Sequence, residues 1–128
     1  MSEETTNMWG DLSELEPIRM PETFVKEQAA VLSQLTQGVL QGKVETGTSG
    51  GGFVIDLVIV APRLNNYRYE IVRVSQPFEI YPLDLYDLVN DKSWNCGNES
   101  DFLARLEGIL KSPGVRRVIT VLVSHSRA

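Results

Sequence analysis

Apolar positions recur along this chain with two different periods, and the changes between them mark its elements. Behind Pro21 and Glu22, the residues Phe24, Val25, Val31, Leu32, Leu35 and Val39 fall at helical spacing and form one stripe. That pattern predicts a helix over about 22–41, with Pro21 suited to its first position, Gly38 weakening the last turn and Gly42 ending it. The period then becomes alternating. Lys43–Thr48 begins a strand, Gly47–Gly52 is a flexible connection, and Phe53–Ala61 is a second strand with apolar groups on both faces. Pro62–Asn66 turns the chain, Asn65 and Asn66 tolerating left-handed backbone, and Tyr67–Ser75 returns as a third strand. Pro77 interrupts it, Phe78–Tyr81 adds a short edge strand, and residues 82–98 are expected to be irregular, with Leu83, Leu85, Leu88 and Val89 tucked under the sheet.

Helical spacing resumes after Asn98, a good N-cap followed by Glu99 and Asp101 in the first turn. Phe102, Leu103, Leu106, Ile109 and Leu110 supply the stripe, and Lys111 sits at the negative end. Residues 115–124 support two readings equally. Ser112-Pro113 caps a helix, whereas the β-branched run Val118–Val123 favours a strand. The expected class is α+β: an antiparallel sheet of three to five strands, an N-terminal helix and one or two C-terminal helices, with αβββαβ as one order.

Ahead of this body, Met8, Trp9, Leu12, Leu15 and Ile18 recur at three- and four-residue steps among acidic residues. Residues 1–20 therefore read as an arm and 21–128 as one domain. The arm folds back and lays Trp9 and Leu12 on the domain, or is an acidic amphipathic motif offered to a partner's groove, or is disordered. Charge separates the two parts. Residues 1–20 hold five acids and one base, a net of −4, while 21–128 hold twelve acids and eleven bases, a net of −1. A cationic surface for nucleic acid is not evident in that balance, so a protein partner is favoured and a homo-oligomer is compatible.

Composition narrows the class further. With 42% hydrophobic and 23% charged residues, the 128-residue chain has the make-up of one globular domain. No apolar run approaches the roughly 20 residues of a membrane span, and Met1–Glu4 is acidic where a secretory signal is basic, so a cytoplasmic protein without a membrane partner is expected. One cysteine, Cys96, and one histidine, His125, leave too few ligands for structural zinc and no cysteine–histidine pair close in sequence. Gly47–Gly52 precedes a strand rather than a helix, so it is a turn, not a phosphate cradle. His125 sits at an end expected to fray.

Two groups remain. Tyr67, Tyr69 and Arg73 alternate on one strand face, a composition suited to binding a protein, and Trp9 and Leu12 are the corresponding residues of the arm. Asp56 lies in an otherwise apolar strand, where a carboxylate needs a partner such as Arg68, and Glu70 follows in the next strand. If the last segment is a strand, the order helix, three strands, helix, strand resembles the core of the PD-(D/E)xK endonuclease-like superfamily. That resemblance implies Mg²⁺ held by Asp56 and Glu70 in a nuclease-like enzyme, or a scaffold of that type without activity. Val72 stands where the family carries its lysine. The favoured function is a non-catalytic interaction module that masks or inhibits a basic partner, needing no cofactor; Mg²⁺ enters only with the alternative.

Overall fold

The computed structural model describes residues 5–128; Glu3 and Glu4 of the acidic arm lie outside them. Helix α1 (Pro21–Leu35) leads into five strands, β1 (Gln41–Ser49), β2 (Gly52–Ala61), β3 (Tyr67–Gln76), β4 (Leu83–Asp87) and β5 (Lys92–Cys96). Helices α2 (Glu99–Leu110) and α3 (Pro113–Arg127) follow. The strands form an antiparallel meander in chain order, and the fold is α+β.

Three sequence expectations change here, and one open choice is decided. Helix α1 stops at Leu35 because Gln37 and Gly38 take left-handed backbone (φ 52° and 79°), and the Thr36 hydroxyl accepts the Leu40 N–H at 3.2 Å. Gly42 is consequently a strand residue, not a helix terminator. Residues 82–98 are a regular hairpin, β4–β5, while Phe78–Tyr81 is a turn rather than an edge strand. The final segment is a helix: Ser112 Oγ caps it by accepting the Val115 N–H at 3.2 Å, and Pro113 occupies its first position. The observed order is therefore αβββββαα, and the αβββαβ order behind the endonuclease resemblance is absent. Packing of Val115 and Leu122 on the sheet overrides the strand propensity of the β-branched run.

All three helices contribute to one core. Val25 and Ala29 of α1, Phe102, Leu106 and Ile109 of α2, and Val115 and Leu122 of α3 meet Ile55, Leu57, Ile59, Val72, Val74 and Leu85 of the sheet. Among the described residues, no helix covers the opposite face of the sheet. Val58 and Val60 project there, yet are only 0% and 2% exposed. They stand between Lys43 and Glu70, and between Gln41 and Arg68, in the strand register, so long polar side chains cover them. The expectation of apolar groups on both faces of β2 holds, with a layer of helices on one side and side-chain stems on the other.

A β-bulge organises this sheet. Leu57 pairs with Val72 but Val58 pairs with Glu70, leaving Ile71 as an extra residue in β3. The bulge reverses the alternation, because each residue inserted in a strand moves the following side chains to the other face. Tyr67 and Tyr69, before the bulge, lie opposite Ala61 and Ile59 on the helix side. Arg73, after it, lies opposite Asp56 on the bare side. The β1–β2 connection is tighter than expected: only Gly50 and Gly51 separate the strands, both left-handed (φ 57° and 80°), as a two-residue hairpin requires.

Candidate interaction surfaces

The arm is built from short local bonds and stands away from the body. Asn7 accepts the Trp9 N–H at 2.9 Å, and the Asp11 carboxylate accepts the Ser13 N–H at 2.9 Å, capping the single turn Leu12–Glu14. The Ser13 hydroxyl and N–H together hold the Asp11 carboxyl below its ordinary range. Trp9 is 82% exposed, and Met8, Leu12, Leu15 and Ile18 are exposed beside it, so these side chains do not fold back on the domain. Among the described residues, the arm is tied down at its root, where Arg19 pairs with Glu27 and lies 4.3 Å from the centre of the Phe24 ring.

On the helix side, the bulge turns Tyr67 and Tyr69 toward α3. With Leu64 they form one wall of a cleft of about 520 Å³; Arg117, Val118, Val121, Leu122 and His125 of α3 form the other. Its lining is apolar with two tyrosine hydroxyls, one guanidinium and one imidazole, and it contains no acid. Helix α3 has Arg116, Arg117, His125 and Arg127 and no acidic residue, and among the described residues its arginines form no salt bridge. His125 lies within α3, which continues to Arg127 and buries Ser126. On its other side α3 and α1 border a second apolar groove of about 330 Å³, with Val31, Leu35, Arg116 and Ile119 along it. The near-neutral body is therefore uneven, with a basic apolar region along α3.

Arg73 belongs to neither surface. Its Nε and one terminal nitrogen donate to the two oxygens of Asp56 at 2.8 and 3.1 Å. Arg68, expected as that partner, instead pairs with Glu45 on β1 and holds its carboxyl below the ordinary range. An uninterrupted alternation through Ile71 would put Arg73 on the face of the tyrosines, and the bulge moves it to the other. The bare face thus carries two pairs of opposed charges, and further along Asp84 accepts from the neutral Asn95 amide at 3.0 Å. The Asp56–Arg73 pair joins a largely buried carboxylate to a guanidinium that is 45% exposed. A double-mutant cycle on Asp56→Ala and Arg73→Ala is expected to return a coupling of about 1 kcal/mol, reduced by solvent screening at the arginine. Urea midpoints of the four proteins measure it, and additive losses would mean the pair does not cooperate.

Asp56 and Glu70 also share this bare face, one strand residue on each side of the bulge. Among the described residues, no group of three or more His, Cys, Asp or Glu side chains is placed to hold a metal ion. Cys96 is buried in the core, and burial pushes its thiol pKa up. No helix of the described residues is long and apolar enough to cross a membrane. No family model matches the chain, and no curated protein or solved structure matches it either.

The sequence reading missed Arg117, Val121 and His125 as companions of Tyr67 and Tyr69. The available signal was the absence of any acid between Pro113 and Arg127 while three arginines and the histidine fall there. Summing charge over the whole body concealed it.

Proposed function

We propose that this protein is a non-catalytic interaction module of the cytoplasm whose acidic arm binds a basic, apolar groove on a protein partner. The observation that carries this reading is the arm itself. Five large apolar side chains, from Met8 to Ile18, stand exposed between Asp11, Glu14 and Glu16, with nothing in the body covering them. Side chains of this kind gain stability only when something buries them, and an exposed contiguous set marks a contact surface. The acids select the sign of the surface that receives them and steer it on approach, which is how such an arm masks a basic partner. Tyr67 and Tyr69 add a second contact surface on the body, with the rigid amphipathic rings that concentrate binding energy.

Affinity capture with the full chain and with its Trp9→Ala/Leu12→Ala variant tests this, followed by titration of whatever protein distinguishes them. Truncating a central tryptophan anchor is expected to weaken binding by about 2 kcal/mol or more. Identical partners bound with equal affinity by both proteins would remove the arm from the interaction.

A further inference from the structure

We infer that the groove receiving the arm is on a second copy of this chain: Trp9 and Leu12 of one copy seat in the cleft between β3 and α3 of the other, and reciprocally. This rests on the reading that the arm binds a basic apolar groove, and it names the partner.

Charge and chemistry match on the two surfaces. Between Asn7 and Ile18 the arm offers an indole and branched aliphatic side chains with Asp11, Glu14 and Glu16 and no base. The cleft offers an apolar floor, two tyrosines, Arg117 and His125 and no acid, with room for an indole and a leucine in about 520 Å³. Arg117 and His125 lie two turns apart on α3, about 12 Å, a spacing that spans the acids of a short docked turn.

Reach favours exchange over docking within one chain. The arm leaves the body at Met20, which borders Phe53 and Gln76 at one end of the sheet. The cleft is at the other end, beside Leu64 and Tyr67. Tyr67 and Gln76 are the two ends of β3, about 30 Å apart at the rise of a strand. From Met20 back to Leu12 the chain spans at most about 29 Å when fully extended, less with Leu12–Glu14 coiled in a helical turn. Seating Leu12 in its own cleft would thus draw the arm nearly taut around the intervening helices and uncoil its helical turn, whereas a neighbouring copy's cleft carries no such constraint. Reciprocal seating gives a two-fold arrangement in which each copy supplies one arm and one cleft.

Charge reversal at exposed positions tests it without touching the core. Light scattering behind size exclusion, at about 100 µM and low salt, should give the full chain about twice its mass of 14.3 kDa. The arm variant Glu14→Lys/Glu16→Lys and the cleft variant Arg117→Glu/His125→Glu should each run as monomers. Mixed one to one, they should recover the doubled mass, because both arm–cleft contacts are again of opposite charge. Trp9→Ala, which removes the anchor from both contacts, should raise the dimer dissociation constant about a thousandfold. Thermal melts of the three variants check that each remains folded. A full chain that stays monomeric overturns the inference while leaving the arm free to serve another protein. A dimer indifferent to these substitutions, or a mixture that stays monomeric, overturns it as well. The wider interaction reading fails separately, if Trp9→Ala/Leu12→Ala changes neither self-association nor any captured partner.

Discussion

Gly42→Ala is expected to destabilise the protein by about 3 kcal/mol, among the largest losses a single added methyl can cause. A Cβ on Gly42 would stand 2.5 Å from Ala29 Cα and from Ala29 O, and 2.8 Å from Ala29 C. These are backbone atoms of α1, so no side chain can rotate away, and the helix must lift from β1. Lifting it also strains a bond that joins the two elements, since Ser33 Oγ accepts the Gly42 N–H at 3.0 Å while donating to the Ala29 carbonyl at 3.2 Å. Gly47→Ala is the control. It lies in the same strand with nothing within 4 Å of its added Cβ, and should change stability by less than about 1 kcal/mol. Urea midpoints at constant m value separate the two. A Gly42→Ala midpoint equal to that of Gly47→Ala would show that α1 is not seated closely on β1.

Gly42 also shows how far local pattern carries. The apolar stripe from Phe24 to Leu35 specifies α1 because its period is a property of the segment alone. The end of the helix is not such a property. In sequence Gly38 weakens the last turn and Gly42 ends the helix, and only the approach of β1 to Ala29 shows that Gly42 is needed without a side chain in a strand. The Asn98 cap of α2 was legible for the opposite reason, its bond to the Asp101 N–H at 2.8 Å lying wholly within four residues. The residues of α3 were ambiguous because their helix-or-strand choice depends on what they pack against.

The candidate surfaces follow the same division. Trp9 and Leu12 could be named from spacing, since an arm's composition is local. Tyr67 and Tyr69 could be named too, but their company could not. One inserted residue, Ile71, sends Arg73 to the far face and leaves the tyrosines facing a helix some fifty positions later in sequence. The trace of the bulge within β3 is slight, a shift of the apolar phase from Tyr67, Tyr69 and Ile71 to Val72 and Val74, and two adjacent apolar residues also suit a strand buried on both faces. Asp56 drew notice as the acid in an apolar strand, yet its carboxylate has an exposed arginine beside it. The acid at 3% exposure is Asp87, in the segment expected to be irregular.

That misplacement identifies the residue on which α3, and with it the basic cleft, depends. Asp87 Oδ1 accepts the N–H groups of Val89 and Asn90, both at 3.0 Å, and its Oδ2 accepts from Asn90 Nδ2 at 2.8 Å. Asn90 Nδ2 reaches on to Ser112 Oγ at 3.1 Å, the oxygen that caps α3. Gly114 lies against Asn90 so closely that a Cβ there would be 2.2 Å from its Oδ1. The β4–β5 turn and the start of α3 are thus joined through one buried carboxylate satisfied by neutral donors. Asp87→Ala removes three charge-assisted bonds and leaves those donors buried, so a loss of about 3 kcal/mol is expected. Asp87→Asn keeps the shape but turns an amide toward a donor it cannot accept from, and should cost about 2 kcal/mol. Because the chain of bonds ends on the cap of α3, Asp87→Ala and Ser112→Ala should be non-additive by about 1 kcal/mol. Hydrogen exchange should also quicken at the amides of Val115–Val121 more than in α1. Equal quickening in both helices, with additive losses, would mean that Asp87 supports the whole core and does not anchor α3 in particular.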